Sequence, residues 1–214
     1  MINEKIMKKI IMIAVMAVAA VSANAQFWIG GEVGFSSTTN TIKEGSVSVD
    51  QNSKNFTIAP ELGYNLSDKW AVAAKLGYEY AENDAEIAAL IADFDGPSFL
   101  RNINTNTFYI NPYVRYTFVK VGNFSAFLDG GVAYGFSHIN GTSDYLNNIN
   151  LFKVSVNPGV AYALNPKVGL VAHIGDVSYK TQWMSVKDVD VKFSQDKFNI
   201  GLWNSISFGA YYNF

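Results

Sequence analysis

The chain has 214 residues, of which 49% are hydrophobic, 14% are aromatic and only 16% are charged. This combination is unusual for a soluble domain of this length. The sequence contains no cysteine, which excludes a disulfide framework, a thiolate metal site and a cysteine nucleophile.

Residues 1–25 have the pattern of a secretory signal peptide. A basic segment (residues 5–9) precedes an apolar run (residues 10–21), and Ala23-Asn24-Ala25 matches an A-x-A cleavage site. We therefore predict export and cleavage before Gln26. The alternative, an N-terminal membrane anchor, is disfavoured because the run is short for a bilayer. The remaining domain, residues 26–214, has 13 basic and 17 acidic residues, and this balance does not indicate a nucleic-acid partner.

Beyond Gln26, apolar and polar residues alternate with a period of two, the pattern of strands with one apolar face. Eight strands are predicted, at residues 27–35, 56–66, 70–80, 108–118, 124–136, 152–164, 168–174 and 198–214. Three short connections follow alternate strands, at residues 67–69, 119–123 and 165–167, and four long ones occupy residues 37–53, 81–103, 138–150 and 181–196. Short turns at one end and long loops at the other are typical of outer-membrane barrels.

Aromatic residues on the apolar face lie at both ends of the strands, and smaller aliphatic residues fill the middle. Near the short turns they are Tyr64, Trp70, Tyr116, Phe118, Phe124 and Tyr162; near the long loops they are Phe56, Tyr78, Tyr80, Phe108, Tyr134, Phe136 and Phe152. Two aromatic girdles around an aliphatic band indicate a lipid-facing surface. A soluble sandwich or lipocalin would turn this face inward. We predict an all-β fold, an eight-stranded antiparallel up-and-down transmembrane β-barrel.

The opposite face is then the barrel interior, which is mostly small and polar. Its predicted charge network comprises Glu32, Glu61, Lys75, Glu79, Arg115 and Asp129. The short turns place Glu61 opposite Lys75, and Arg115 opposite or diagonal to Asp129. Because buried charges must be paired or solvated, we expect these opposite charges to meet inside the barrel.

Three strands carry a proline on the apolar face, at Pro60, Pro112 and Pro158. Proline cannot donate to a sheet ladder, so we expect a bulge or a widened ladder at each position. The glycines near the opposing positions, Gly77, Gly131 and Gly175, are expected to tolerate this distortion. Descent of the three segments from one duplicated hairpin is a second explanation.

The chain ends in SFGAYYNF, in which Ser207, Gly209, Tyr212 and Phe214 fit a polar-x-Gly-x-x-hydrophobic-x-aromatic pattern. This resembles the assembly signal on the last strand of outer-membrane proteins. With the hairpin rhythm and the girdles, it makes the chain similar to the small eight-stranded outer-membrane barrels of the OmpA/OmpX type. The resemblance implies a Gram-negative outer-membrane location, insertion by periplasmic chaperones and the barrel-assembly machinery, both termini in the periplasm, contact with outer-membrane lipid, and a monomer.

The same residues give little support to catalysis or to a cofactor. Ser137 and His138 are adjacent, so on a strand they point to opposite faces, and His173 has no evident serine partner. The sequence shows no metal-ligand spacing; Asp188, Asp190 and Asp196 are expected to be a solvated loop cluster. We expect a non-enzymatic protein without a metal or cofactor.

The expected role is therefore structural, or surface contact with a ligand through the four long loops. The alternatives are a narrow gated pore for small solutes and, less favoured, a lipid-modifying enzyme. Within residues 81–103, Ile87, Leu90, Ile91 and Phe94 have helical spacing and predict a short amphipathic helix, which would pack on the barrel or contact a partner. Val189, Val191 and Phe193 alternate with charges and predict that the last hairpin extends above the membrane.

Overall fold

The computed structural model describes residues 26–44, 47–82, 104–140, 148–185 and 192–214. The predicted signal peptide, the helix predicted around residues 87–94, and Asp188, Asp190, Val189 and Val191 lie outside the described residues. Eight strands are present: β1 (Phe27–Glu44), β2 (Val47–Asn65), β3 (Trp70–Glu82), β4 (Asn104–Val121), β5 (Phe124–Asn140), β6 (Asn148–Ala163), β7 (Val168–Ser185) and β8 (Lys192–Asn213). The described segments contain no helix that is long and apolar enough to cross a bilayer.

The eight strands form a closed antiparallel barrel in which each strand pairs with its neighbour in sequence. Strand β1 closes the barrel by pairing with β8, from Trp28 opposite Asn213 to Phe35 opposite Ile206. The predicted fold class is confirmed. This closure removes sheet edges along the paired height, as a membrane-spanning sheet requires.

The two faces of the barrel wall follow the predicted alternation. Aliphatic side chains on the apolar parity are exposed on the outside, among them Leu62, Leu76 and Val132. Acidic side chains on the other parity, among them Glu61 and Asp129, are buried inside. The apolar band therefore faces away from the interior, the reverse of a soluble β-sandwich.

The strands are longer than predicted on the side of the long connections. Residues 37–53 were expected to be a loop, but β1 and β2 remain paired from Phe27 opposite Tyr64 to Glu44 opposite Val47. Strands β7 and β8 likewise stay paired as far as Ser185 opposite Lys192, in line with the expected extension of the last hairpin. Above the membrane the outer face need not be apolar, so the hydrophobic alternation ends before the strand does.

Two of the short turns use the same side-chain device. Ser67 Oγ accepts hydrogen bonds from the backbone N–H groups of Lys69 and Trp70, at 3.3 and 3.1 Å. Asn165 Oδ1 accepts them from Lys167 and Val168, at 2.8 and 2.9 Å. A polar side chain that satisfies the turn amides is a common way to connect two strands tightly.

The ladder is interrupted at each of the three prolines, though in two different ways. Pro60 and Pro112 fall in gaps in the β2–β3 and β4–β5 pairing, but the register is unchanged on both sides of each gap. At Pro158 the β6–β7 register shifts between Val156 and Gly159, which is a bulge. The expected bulge therefore occurs once, and the ladder only opens at the other two prolines.

The glycines near these prolines do not share one role. Gly77 lies beneath the Tyr109 ring, and a Cβ at this position would overlap that ring. Packing inside the barrel therefore explains Gly77 better than the distortion at Pro60 does. Gly175 has a φ of +69°, and β7 shifts register with both of its neighbours around this residue. Glycine is the residue that adopts this backbone conformation at least cost.

The irregularity at Gly175 reverses the facing of β7. Before it, Val171 and His173 point inward; after it, Asp176 and Ser178 do. The predicted strand ends at residue 174 because the regular alternation weakens near Asp176 in the sequence, and this reversal is the cause. The reversal brings an acidic side chain, which the sequence pattern did not place in the interior, into the barrel.

Candidate functional site in the barrel interior

A ring of polar side chains crosses the barrel at mid-height. Its members, which we call the plug, are Glu32, Glu61, Lys75, Tyr113, Arg115, Asp129 and His173. They come from β1, β2, β3, β4, β5 and β7, so the network connects most of the wall. Five of the six residues predicted as a charge network belong to it: Glu32, Glu61, Lys75, Arg115 and Asp129. The sixth, Glu79, does not.

Arg115 and Asp129 form the best-defined pair of the plug. They are cross-strand partners, and Arg115 donates from Nε to Oδ1 at 2.8 Å and from Nη2 to Oδ2 at 2.7 Å. The second oxygen also lies 2.8 Å from His173 Nε2. Planar, two-point contacts of this kind are the strongest that arginine makes with a carboxylate.

Lys75 has a different principal partner from the one its register predicts. It stands opposite Glu61 in the β2–β3 ladder, but its Nζ lies 2.7 Å from Glu32 Oε1 and 3.9 Å from Glu61 Oε2. Glu32 also accepts a hydrogen bond from Ser207 Oγ at 2.9 Å, and its Oε1 is 3.2 Å from His173 Nδ1. Glu32 is therefore the carboxylate at which four strands meet.

Glu61 is held by a tyrosine. Tyr113 donates from its hydroxyl to Glu61 Oε2 at 2.8 Å, and Arg115 Nη2 lies 3.5 Å from the same hydroxyl. Glu61 Oε1 is buried without a hydrogen-bond partner. Tyr113 thus links the Arg115–Asp129 pair to the Lys75–Glu32 pair and completes the ring.

Aromatic rings underlie the plug on the side of the short turns. The guanidinium carbon of Arg115 lies 3.9 Å from the centre of the Phe127 ring and 5.5 Å from that of Trp28. Phe127 in turn packs with Ala161, Val171 and Tyr211. A cation held over aromatic faces and shielded from bulk water is favoured, so this layer supports the plug from below.

The plug separates two cavities. The upper cavity, on the side of the long connections, has a volume of about 430 Å³, and the lower cavity, on the side of the short turns, has about 320 Å³. Glu32, Lys75 and His173 line only the upper cavity, whereas Arg115 lines only the lower one. Among the described residues, the interior is therefore filled at mid-height, with one cavity on each side of the plug.

The upper cavity contains charges that the predicted network lacked. Lys153 Nζ lies 2.6 Å from Asp176 Oδ2, and Lys180 and Lys197 also line the cavity. Glu79, which was predicted, lines it as well and accepts a hydrogen bond from Thr57 at 3.3 Å. Asp176 and Lys180 were missed because the reversal at Gly175 changes the parity; the sequence shows it only as a weaker alternation near Asp176, which does not say which side chains then face inward.

The residues weighed for catalysis do not assemble a nucleophile and base. Ser137 points inward and contacts Thr107 Oγ1 at 2.7 Å, while His138 is exposed on the outer face. His138 lies in β5, not in a loop as expected. Ser207 is the cross-strand partner of His173, but its hydroxyl donates a hydrogen bond to Glu32 and not to the histidine. Within the described residues no group of three acidic or histidine side chains could hold a metal ion.

The C-terminal motif lies on the strand that closes the barrel. Tyr212 is on the outer face, and the backbone N–H of Phe214 donates to the carbonyl of Phe27 at 3.2 Å. Ser207 points inward to Glu32. A Cβ at Gly209 would lie 2.4 Å from the Gly31 carbonyl oxygen and 2.7 Å from Glu32 Cγ, so this glycine permits the close approach of β1 to β8. Three of the four motif residues thus have a structural task besides any role as an assembly signal.

Comparison with solved structures finds proteins of the same architecture at low identity. Neisserial surface protein A is 17% identical, with 89% of this chain and 98% of that chain covered and a TM-score of 0.47. The N-terminal β-barrel domain of Pseudomonas aeruginosa OprF is 14% identical, with 87% and 97% covered and a TM-score of 0.39. Ail, the attachment invasion locus protein of Yersinia pestis, is 16% identical, with 88% and 99% covered and a TM-score of 0.39.

No curated protein matches the chain. A family model described as Outer membrane protein beta-barrel domain matches residues 10–214. That match covers nearly the whole chain and agrees with the closed barrel and its apolar outer face. This protein is therefore an outer-membrane protein of the Gram-negative type, and it belongs to the outer membrane protein beta-barrel domain family.

Proposed function

We propose that the protein is a closed outer-membrane barrel that acts structurally and through surface contacts, and that it neither conducts solutes nor catalyses a reaction. The plug is the observation that carries this proposal. Its contacts run from Lys75 to Glu32 at 2.7 Å, from Glu32 to His173 at 3.2 Å, from His173 to Asp129 at 2.8 Å and from Asp129 to Arg115 at 2.7 Å. The Glu32–His173 contact is not a hydrogen bond, and the ring closes through Tyr113 and Glu61, with 3.9 Å between Glu61 and Lys75. Breaking a contact of this network would leave an unpaired charge inside the barrel, which is costly.

Eight strands leave an interior that side chains can fill, so a closed barrel needs no further element. Here the Phe127 and Trp28 rings fill the level just below Arg115. A gated pore is the competing function, and the cavities on both sides of the plug are the observation that favours it. For conduction, the contacts between Lys75, Glu32 and His173 would have to open together.

Single-channel recording in planar bilayers distinguishes these functions. We expect no steady open level for the wild-type protein. The variant Lys75→Ala/Arg115→Ala, which removes both cations of the plug, is recorded beside it, and its folding is checked by the mobility shift on heating. Steady openings of porin size in the wild-type protein would contradict the closed interior.

Surface contact is proposed for the hairpins that project beyond the upper aromatic girdle. Strand β1 continues from Phe35 to Glu44, and β2 begins at Val47 and reaches the girdle at Phe56. Nine residues of strand span about 30 Å along the strand, which carries the hairpin well clear of the membrane. Short turns face the periplasm in such barrels, so this hairpin faces the cell exterior.

Two measurements test the surface role and the absence of catalysis. Deleting residues 40–51 and joining the strands by an Asn-Gly turn is expected to abolish adhesion of intact cells to immobilised glycans and proteins while the barrel still folds. Unchanged adhesion would contradict the assignment to this hairpin.

Mass analysis of lipid A from cells with and without the protein should show identical acylation. A missing or added acyl chain would establish an enzyme.

A further inference from the structure

Lys69 and Lys167 occupy equivalent places in two of the short turns. In both cases the backbone N–H donates to the polar side chain that caps the turn. The carbonyl of Lys69 accepts a hydrogen bond from the Thr117 N–H of β4 at 2.8 Å, and that of Lys167 accepts one from the Asn213 N–H of β8 at 2.7 Å. The backbone of each lysine is therefore held from two sides, at the same point relative to the neighbouring strand.

Each of these lysines has a tyrosine of the outer face beside it. The residue after Lys69 is paired with Tyr116, and the residue after Lys167 is paired with Tyr212. The Lys167 Nζ donates to the Tyr212 hydroxyl at 3.4 Å and lies 5.6 Å from the centre of its ring. Because Tyr212 is on the outer face, the Lys167 side chain is directed along the outer wall, at the level where girdle tyrosines meet lipid head groups.

The positive charges of Lys69 and Lys167 are not compensated by the protein. Both side chains are exposed, and among the described residues neither has an ion pair. Asp68, the acidic residue of the short turns, lines the lower cavity, whereas the two lysines do not. An exposed positive charge without a protein counter-ion attracts a negatively charged partner.

The chemistry beside Lys167 suits a phosphate group. The ammonium group has three donors, of which one is directed to Tyr212, and the tyrosine hydroxyl, which accepts there, keeps its own proton free to donate. A phosphate oxygen next to this pair accepts from both groups, and hydrogen bonds between charged partners are the stronger kind. We call Lys167 with Tyr212, and Lys69 with Tyr116, the clamps.

Apolar side chains adjoin both clamps on the side of the membrane centre. Leu170 of β7 and Phe208 of β8 are exposed on the outer wall above the clamp of Lys167. Val72 of β3 and Val114 of β4, which are cross-strand partners, are exposed above the clamp of Lys69. A ligand that fits such a surface has an anionic head and an apolar tail.

We propose that the two clamps bind the phosphate groups of two anionic phospholipids in the periplasmic leaflet of the outer membrane. The lysine supplies the charge, the tyrosine hydroxyl a second donor, and the adjoining apolar wall the contact with the acyl chains. That wall is the reason why the ligand is a lipid and not a free phosphate. The inference rests on the short turns facing the periplasm, and it holds whether or not the interior conducts.

Native mass spectrometry of the protein, released from nanodiscs with equal amounts of phosphatidylcholine and phosphatidylglycerol, counts the lipids that remain bound. We expect wild-type protein to retain two molecules of phosphatidylglycerol in preference to phosphatidylcholine. Each basic residue near an anionic lipid strengthens binding by roughly fivefold, so K69Q and K167Q should each weaken one site by about that factor and retain one. K69Q/K167Q should show no preference between the two lipids.

K120Q is the matched control. It has the same charge change on the same side of the membrane, but Lys120 lines the lower cavity and not the outer wall. This variant should retain both lipids, and so should K167R, which keeps a cation at the clamp. Y212F keeps the ring and loses the hydroxyl, and it should weaken one site by less than K167Q does. Folding of every variant is checked by the mobility shift on heating.

Four results would overturn the proposal. They are unchanged retention in K69Q/K167Q, an equal loss in K120Q, unchanged retention in Y212F, and displacement of the lipids by soluble glycerol phosphate at the same concentration. An equal loss in K120Q would mean that the whole rim attracts anionic lipid without defined sites. Displacement by glycerol phosphate would mean that the clamps take an anion from the periplasm and not a lipid from the membrane.

Discussion

Arg115 and Asp129 face each other across β4 and β5 and share two hydrogen bonds, at 2.8 and 2.7 Å, inside the barrel. The arginine also lies over the Phe127 ring, and the aspartate also contacts His173. One pair therefore joins the wall, the aromatic layer and the rest of the plug. Loss of this pair is therefore expected to weaken the contacts of Phe127 and His173 as well.

Arg115→Ala should destabilise the folded barrel. The change leaves the Asp129 carboxylate buried without its main partner, and breaking a buried pair in this way costs about 3–5 kcal/mol. The free energy of unfolding is measured from urea titration in lipid vesicles. Lys120→Ala, on the same strand but exposed near the short turn, is the control and should change it little. An unchanged midpoint for Arg115→Ala would show that the pair contributes no stability.

Gly159→Ala should also be destabilising, because a Cβ there would overlap the Phe127 ring and lie 3.0 Å from the Ala172 carbonyl oxygen. Overpacking of this kind typically costs about 1–3 kcal/mol. Gly130→Ala is the matched control, since no atom lies within 4 Å of its added Cβ. Urea titration should separate the two variants. Combining Gly159→Ala with Phe127→Leu should recover part of the loss; equal stability of the two single variants would contradict this packing.

Gly175 provides a test of the register shift in β7. Its φ of +69° is unfavourable for residues with a Cβ, so Gly175→Ala is expected to cost about 1–2 kcal/mol. Gly175→Asn should cost less, because asparagine tolerates this conformation better. Gly34→Ala, whose Cβ would have ordinary contacts at 3.5–4 Å, serves as the reference. We expect the free energy of unfolding to be lowest with alanine at position 175, intermediate with asparagine and highest with glycine. Equal unfolding free energies for the three proteins would contradict the prediction.

The outward face can be tested by placing a charge on it at two depths. Leu128→Arg in the aliphatic band should cost about 2–4 kcal/mol, whereas Val121→Arg, beside the Gly122 turn, should cost about 0–1 kcal/mol. Both positions are exposed on the outer wall. The measurement is the unfolding free energy in bilayers of fixed composition. Equal costs at the two depths would mean that Leu128 does not face the hydrocarbon core.

The alternating pattern of the sequence predicts the wall of the barrel well because it is a local property. In β2 and β4 the side chains of Leu62 and Val114 had to lie on one face, with Glu61 and Arg115 on the other, once each segment became a strand. Cross-strand neighbours next to a short turn also follow from the sequence. The sequence predicts in this way that Arg115 lies opposite or diagonal to Asp129, and the register shift between Thr117 and Val119 decides that they are opposite.

Contacts between distant strands could not be predicted in this way. Ser207 and Glu32 are 175 positions apart and meet only because β8 closes onto β1. Lys75 lies nearest to Glu32, not to its ladder partner Glu61, because the long side chains reach across the narrow interior. A single sequence contains no signal for this choice, which depends on the register around the whole barrel.

The sequence alone determined that eight strands separate an apolar from a polar face, because a period of two fixes which side chains share a face. Only the tertiary structure decided how far the strands continue above the girdle, where β7 reverses its facing at Gly175, and where β1 and β8 part at Phe35 and Ile206. These features depend on strand pairing and closure, which involve residues from opposite ends of the chain. The contacts of Glu32 with Ser207 and His173 are products of that closure.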